Sequence, residues 1–297
     1  MEQNKYYSNF KLHYQYREYH YELSQLNHSE PDKPTVDLAR IHNSQNILGL
    51  ILAFHISFAV SARKTAQILK QVFEVKLSYQ TVLNYCASAA YYCHKFNLHY
   101  KGPVDDIQAG DETYIKIMGK HNYVFFFISS KTPKITAYHV ADNRGTLPAT
   151  IAMNEALRTT TKEQLSTLIT DGNPAYPSGI HFLNHSKNNA NPTAHHKVIG
   201  LQNLDSESEE YRPFKQLIER LNRTYKHHIR AACGFKDFNG ALALTTLFVT
   251  HYNFLRPHMR LNFKTPVPFS PIDEVSTLQG KWCKLISIAQ NIQPAAA

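Results

Sequence analysis

The stretch Ile107-Gln108-Ala109-Gly110-Asp111-Glu112-Thr113-Tyr114-Ile115-Lys116-Ile117, followed by Tyr123-Val124-Phe125-Phe126-Phe127-Ile128, decides the fold class. Each run has strand length, and the second is apolar without a break, as expected of a strand buried on both faces. Ile135 to Val140 reads as a third strand, with Thr132-Pro133 and Asn143-Arg144-Gly145 supplying the turns. A helix is expected from about Leu147 to Leu157. Leu165 to Thr170 is a fourth strand that ends on Asp171-Gly172-Asn173, and Ile180 to Leu183 and Val198 to Leu201 are further short elements. Two long helices, roughly Tyr211 to Arg230 and Phe238 to Phe254, close the region. Three meandering strands and then alternating helix and strand describe an α/β domain with a mixed sheet.

Upstream of Lys101-Gly102-Pro103 the pattern is helical. From Ser44 to Cys93, Ala62, Ala66, Leu69 and Val72 form one apolar face. Ser78 then caps a second helix whose inner face is Val82, Cys86, Ala89 and Cys93. Two short amphipathic helices joined by a tight break match a helix-turn-helix, whose second helix would present Tyr79, Gln80, Thr81 and Asn84 to a major groove. The plainer reading is a three-helix packing module. Residues 1–43 are dense in Tyr and His, with Tyr14, Tyr16, Tyr19 and Tyr21 closely spaced. They read as an arm that stacks on bases or packs its rings on the next domain. The expected organisation is an arm over 1–43, a helix-turn-helix domain over 44–100, a catalytic domain over 104–262 and a tail over 263–297.

Composition narrows the partner. Against 23 Asp and Glu stand 32 Lys and Arg, a formal charge of +9, and 17 His would add to it below neutral pH. That balance favours a polyanion, most simply nucleic acid. Cys86, Cys93, Cys233 and Cys283 show no C-x-x-C spacing and read as reduced thiols. Neither His195-His196 nor His227-His228 has paired cysteines nearby, which argues against a structural zinc. No signal peptide is read in Met1 to Phe10, and the most apolar window, Ile47 to Val60, is 14 residues long, too short for a membrane helix. The expected location is therefore cytoplasmic, with no membrane partner.

Three acids stand where such a sheet could bring them to one edge. Asp111 interrupts a strand built for burial, where a charge is costly without a metal or cation partner. Asp171 follows the fourth strand at its C-terminal end, where open α/β sheets place ligands. Glu219 lies in Phe214-Lys215-Gln216-Leu217-Ile218-Glu219-Arg220-Leu221-Asn222-Arg223-Thr224-Tyr225-Lys226. Between Arg212 and Lys236 it is the one carboxylate among seven Lys and Arg. Phe214, Leu217, Ile218, Leu221 and Tyr225 make the buried stripe of that helix, and Glu219, Asn222 and Lys226 share a face beside it. Each acid has a plainer reading: Asp171-Gly172-Asn173-Pro174 as a turn, Asp111 or Glu112 on the exposed face of an edge strand, Glu219 in an ion pair with Arg223 or Lys215.

Taken together, Asp111-Glu112-Thr113-Tyr114, Thr170-Asp171-Gly172, Ile218-Glu219-Arg220-Leu221-Asn222-Arg223 with Lys226, and the later His251-Tyr252-Asn253-Phe254-Leu255-Arg256-Pro257-His258 with Lys264-Thr265-Pro266 resemble the DDE transposases of bacterial insertion sequences. The likeness runs from about Ile107 to Pro266. It implies an integrase-type, RNase H-like core, a mixed five-stranded sheet flanked by helices and preceded by an all-α helix-turn-helix domain. In this sequence 47 residues separate Asp171 from Glu219, a longer interval than in many relatives. The extra length is expected as an exposed loop between His185 and Glu210, which leaves Glu209 and Glu210 as minor rivals for the third acid.

The resemblance also implies a chemistry. Asp111, Asp171 and Glu219 would be the catalytic acids and would hold two Mg²⁺, with Mn²⁺ as a substitute. One ion would activate a water and the other would stabilise the leaving 3′ oxygen. Hydrolysis at the element's terminal repeats would free a 3′-OH, which would attack target DNA by transesterification. Lys226 and Asn222 would align a phosphate, and Arg220, Arg223, Arg230, Lys236, Arg256 and Arg260 would extend a basic track. Double-stranded DNA is the implied partner, a homodimer or higher oligomer the implied assembly, and the bacterial nucleoid the implied place of action. The rival readings are a catalytically inactive, transposase-derived DNA-binding protein and an RNase H-like structure-selective nuclease.

Overall fold

A computed structural model describes residues 20–41, 43–161, 164–186, 191–199 and 206–292. The Tyr-rich stretch through Tyr19 lies outside the described residues. The sheet is built on β1 (Ile107–Ile117), β2 (Lys120–Ser129) and β3 (Ile135–Ala141), an antiparallel meander. Met118 and Gly119, with φ of 51° and 76°, form the two-residue link between β1 and β2. Two successive left-handed residues suit the strand twist in such hairpins, and Gly119 takes the second position without a Cβ penalty. The second strand therefore starts at Lys120, three residues before the apolar run that begins at Tyr123.

Helix α4 (Thr146–Ala156) returns the chain to β4 (Thr167–Thr170), which pairs parallel to β1. Helix α5 (Ala175–Ser186) then leads to β5 (Ala194–Lys197), parallel to β4. The sheet order is β3-β2-β1-β4-β5, with β1 at the centre. This is the mixed five-stranded, RNase H-like arrangement. Two details differ from the sequence reading. Ile180 to Leu183 lies inside α5, and the edge strand is Ala194–Lys197, while Gly200 and Leu201 of the run Val198 to Leu201 lie outside the described residues. An Ala-His-His-Lys run shows no apolar alternation because it is held by backbone pairing at the edge and stays largely accessible to solvent. The long interval between Asp171 and Glu219 thus contains α5, β5 and the start of α6 (Ser206–Arg230) as well as loop.

Each face of the sheet has its own core. Phe125 and Phe127 join α4 and α5 through Ala149, Ala152, Met153 and Tyr176. Phe126 and Val124 point the other way, to Leu217, Ile218, Leu221 and Tyr225 of α6 and Leu242 and Phe248 of α7 (Phe238–Thr250). All three phenylalanines are fully buried, which explains the unbroken apolar run. The link from α6 to α7 is pinned to β1: the N–H of Met118 donates to Phe235 O at 2.9 Å, and the N–H of Phe235 donates to Lys116 O at 2.8 Å. Gly234, at φ 103°, supplies the backbone conformation this requires. As a result the C-terminal end of α6 is held against the strand that carries Asp111.

A third core is chiefly helical. It gathers α1 (Gln45–Leu52), α2 (Ala62–Val72), α3 (Tyr79–His99), one side of α7, the short α8 (Ser270–Asp273) and α9 (Leu278–Gln290), with Trp282 fully buried. Ser61 and Ser78 cap α2 and α3, their hydroxyls accepting from the N–H of Lys64 and Thr81. Val82, Cys86, Ala89 and Cys93 are buried as the pattern of α3 indicates, but Val72 is 68% exposed, because it falls in the last turn of α2 where the chain leaves the core. The signature Asn253 ties this helical layer to the sheet. Its Oδ1 accepts from the N–H of Ile135 at 2.8 Å and its Nδ2 donates to Ile135 O at 2.9 Å, which closes the exposed edge of β3. Among the described residues no helix is long and apolar enough to cross a membrane.

Candidate active site

Register brings the first two acids together. Ala109 of β1 pairs with Ile169 of β4 in a parallel ladder, so two residues farther along each chain Asp111 lies beside Asp171. Side chains two apart share a face, which directs Asp111 toward α6. One oxygen each of Asp111, Glu112 and Asp171 lie within 4.8 Å of one another.

Helix α6 supplies the wall opposite Asp111. Lys215 Nζ approaches Asp111 Oδ1 at 3.3 Å, and Asn222 Nδ2 donates to Asp111 Oδ2 at 3.1 Å. Both side chains are buried, and the Asp111 side chain is 15% exposed. Burial, opposed by Lys215 and reinforced by Asp171 and Glu112, pushes the Asp111 carboxyl up to about 6. Glu219 stands half-buried between Lys215 and Asn222 on the same line of the helix. It pairs with neither Arg223 nor Lys215, and among the described residues it has no ion-pair partner. Its carboxylate also lies outside the 4.8 Å group.

Glu112 occupies the other face of β1. Tyr176 Oη donates to Glu112 Oε2 at 2.6 Å, Asn173 Nδ2 donates to Oε1 at 3.0 Å, and Arg144 Nη1 lies 4.0 Å from Oε1. Both carboxylate oxygens of Glu112 are therefore engaged, although one of them lies within the 4.8 Å group. Asn173 in turn directs its N–H to Asp171 Oδ1 at 2.9 Å. The result is a strut from β1 through Glu112 and Asn173 to the turn that carries Asp171. Gly110, one residue earlier, leaves room for its cross-strand partner: a Cβ there would lie 2.2 Å from the Phe127 ring.

An all-oxygen donor set of crowded carboxylates suits a hard divalent cation. Two buried polar atoms beside Asp111 are without a hydrogen-bond partner, Asn222 Oδ1 and Thr113 Oγ1. The residues present thus fit such an ion.

The remaining candidates are distributed over three surfaces. Lys226 is exposed, with Nζ 4.2 Å from the Tyr114 ring centroid, at the end of the Asp111-facing line of α6. Arg220 and Arg223 are exposed on a different side of α6, near Arg256, and Arg230 is exposed at the helix end. Tyr79 and Gln80 are exposed at the start of α3, with Thr81 and Asn84 half-buried; Gln80 Nε2 donates to Asn84 Oδ1 at 2.9 Å, and the Arg63 guanidinium lies 5.2 Å from the Tyr79 ring centroid. Lys215, Glu112, Asn173 and Tyr176 escape a reading of the sequence as site residues. The position of Lys215, one turn before Glu219, was a signal, but it pointed to the wrong carboxylate.

Residues 108–245 match the family model described as a DDE domain. No curated protein sequence matches the chain. Among solved structures the chain is similar to the HTLV-2 integrase catalytic core domain in complex with magnesium, at 14% identity over 56% of this chain and 96% of that one, TM-score 0.39. It is also similar to the simian T-cell lymphotropic virus intasome in complex with the PP2A regulatory subunit B56γ (13% identity, 73% and 72% covered, TM-score 0.38). A third is the Mos1 strand transfer complex (11% identity, 77% and 82% covered, TM-score 0.20). Over residues 108–245, with both strand-borne acids in place, the chain matches a DDE domain of the transposase type.

Proposed function

We propose that this enzyme acts on double-stranded DNA, cutting at the terminal repeats of an insertion sequence to free 3′-OH groups and joining them to target DNA. The observation that carries this reading is the parallel register that sets Asp111 beside Asp171, with α6 laid across them so that Glu219 lies between two residues that touch Asp111. Asp111, Asp171 and Glu219 would hold divalent cations, two Mg²⁺ with Mn²⁺ as a substitute. When bound, such ions activate an attacking water or hydroxyl and stabilise the leaving oxygen of a phosphodiester.

The chain's own residues have separate tasks. Asn222 orients Asp111 through its amide. Lys215 neutralises Asp111 until a cation takes over its oxygen, and its ammonium is then available to a phosphate. Lys226, exposed beside Tyr114, contacts the backbone of the strand at the acids, a contact that positions without reading sequence. Tyr79, Gln80, Thr81 and Asn84 at the start of α3 are the candidates for reading the repeats. Joining two ends makes a dimer or larger assembly the working form.

The test is a strand-transfer assay with a labelled terminal-repeat duplex, Mg²⁺ and a target plasmid, comparing the wild type with Asp111→Ala, Asp171→Ala and Glu219→Ala. Joined products that depend on metal and vanish in each variant are expected. Binding without metal-dependent cutting would show a transposase-derived binding protein, and cutting without joined products would show a nuclease.

A further inference from the structure

Helix α6 has a second basic side. Lys215, Glu219, Asn222 and Lys226 fall on one narrow line that meets Asp111, whereas Arg220 and His227 lie about 110–130° around the helix from it. They face a groove of about 730 Å³ whose opposite wall is the signature segment Arg256-Pro257-His258 with Arg260. Among the described residues no carboxylate lines this groove. Among the described residues none of the guanidiniums of Arg220, Arg223, Arg256 and Arg260 has a carboxylate partner.

The electrostatics agree with an unneutralised cluster. Arg256 lies over the Tyr252 ring at 5.3 Å. After burial, its charge is among the causes that lower the pKa of three neighbouring imidazoles, His228, His251 and His258. His258 is held at about 4, so at neutral pH it adds no charge to that of the arginines. Guanidiniums that line one groove with no acid among them suit an anion that offers several oxygens. The hydroxyl of Thr224, which also lines the groove, donates instead to Arg220 O within the helix and is not available to such an anion.

We propose that this groove holds a stretch of DNA phosphate backbone separate from the strand at the carboxylates, so that α6 lies between two nucleic-acid contacts. The proposal rests on the reading of this chain as a DNA-acting enzyme. It assigns two roles to one signature: Asn253 closes the edge of β3, and Arg256 with Arg260 presents charge to the groove.

The test is binding of a labelled duplex to the full chain by fluorescence anisotropy across a KCl series in EDTA, where no metal holds a phosphate at the acids. The variants are Arg256→Gln with Arg260→Gln together, Arg260→Gln alone, and Lys284→Gln on the exposed surface of α9 as a control for net charge. Removing one guanidinium from a phosphate lowers the slope of log K against log [salt] by about 0.9. The double variant should therefore drop by about 1.8 and the single variant by about 0.9, with the Lys284 control unchanged. A thermal melt confirms that each variant is folded, and the exposed Arg260→Gln keeps the question answerable if the double variant is not. An unchanged slope in folded variants overturns the groove. Absence of salt-dependent binding by the wild type would instead overturn the reading of the chain as DNA-acting.

Discussion

Lys215→Met removes the ammonium that touches Asp111 while keeping the length and apolar stem of the side chain. The pair is 3.3 Å apart, with Lys215 8% and Asp111 15% exposed. Breaking a fully buried ion pair costs about 3–5 kcal/mol because the surviving charge is left uncompensated. Asp111 keeps the Asn222 amide and some solvent, so a loss of about 2–3 kcal/mol is expected. A divalent cation at the same carboxylates replaces the missing charge and stabilises the folded form. One ion present at about 100 times its dissociation constant contributes about 2.7 kcal/mol. In the wild type the ion must first displace Lys215, so it gains less there. Urea unfolding of both proteins in EDTA and in saturating Mg²⁺ reads this directly: the gap should be wide in EDTA and largely closed in Mg²⁺. An equal gap in the two conditions would show that Lys215 and metal do not compete for Asp111, and the reasoning about the site would fail.

Tyr176→Phe leaves one oxygen of buried Glu112 without its donor; a loss of about 1–3 kcal/mol is expected by urea unfolding, and strand transfer should fall as the Asp171 turn loosens. Asn253→Ala removes both bonds to the buried backbone of Ile135, and about 2–4 kcal/mol of stability should go with them, read by thermal or urea unfolding. Acid unfolding should report Glu155, where burial raises the carboxyl but His28, Lys101 and Arg158 together hold it down at about 2. Since this pKa is depressed from 4.5, its stabilisation is complete above about pH 4.5 and is lost as pH falls toward 2, a change of about 3 kcal/mol. Glu155→Gln should flatten the stability–pH curve within that window.

Local signals served well where chemistry and periodicity agree. The phenylalanine run had to be a strand with both faces covered, and the stripe Leu217, Ile218, Leu221 and Tyr225 had to face a core. Asp111 in such a strand had to find a cation. The edge strand over Ala194–Lys197 was illegible, because pairing with β4 sets it rather than any side-chain pattern. The hairpin at Met118-Gly119 was missed for a related reason: two left-handed residues are needed, and only one of them is glycine.

By itself, then, the sequence determined most of the elements, and the family resemblance marked three acids as candidates, since helical and strand periods and residue chemistry are local properties. Only the tertiary structure decided which groups meet. Parallel register placed Asp111 beside Asp171, and the pinned end of α6 set Lys215 rather than Glu219 against Asp111. Glu112 and Asp111, adjacent in the chain, parted to opposite faces of one strand, the first to brace the site and the second to form it. Pairing of that kind depends on distances between residues far apart in sequence, and the packing of sheet and helices sets those distances.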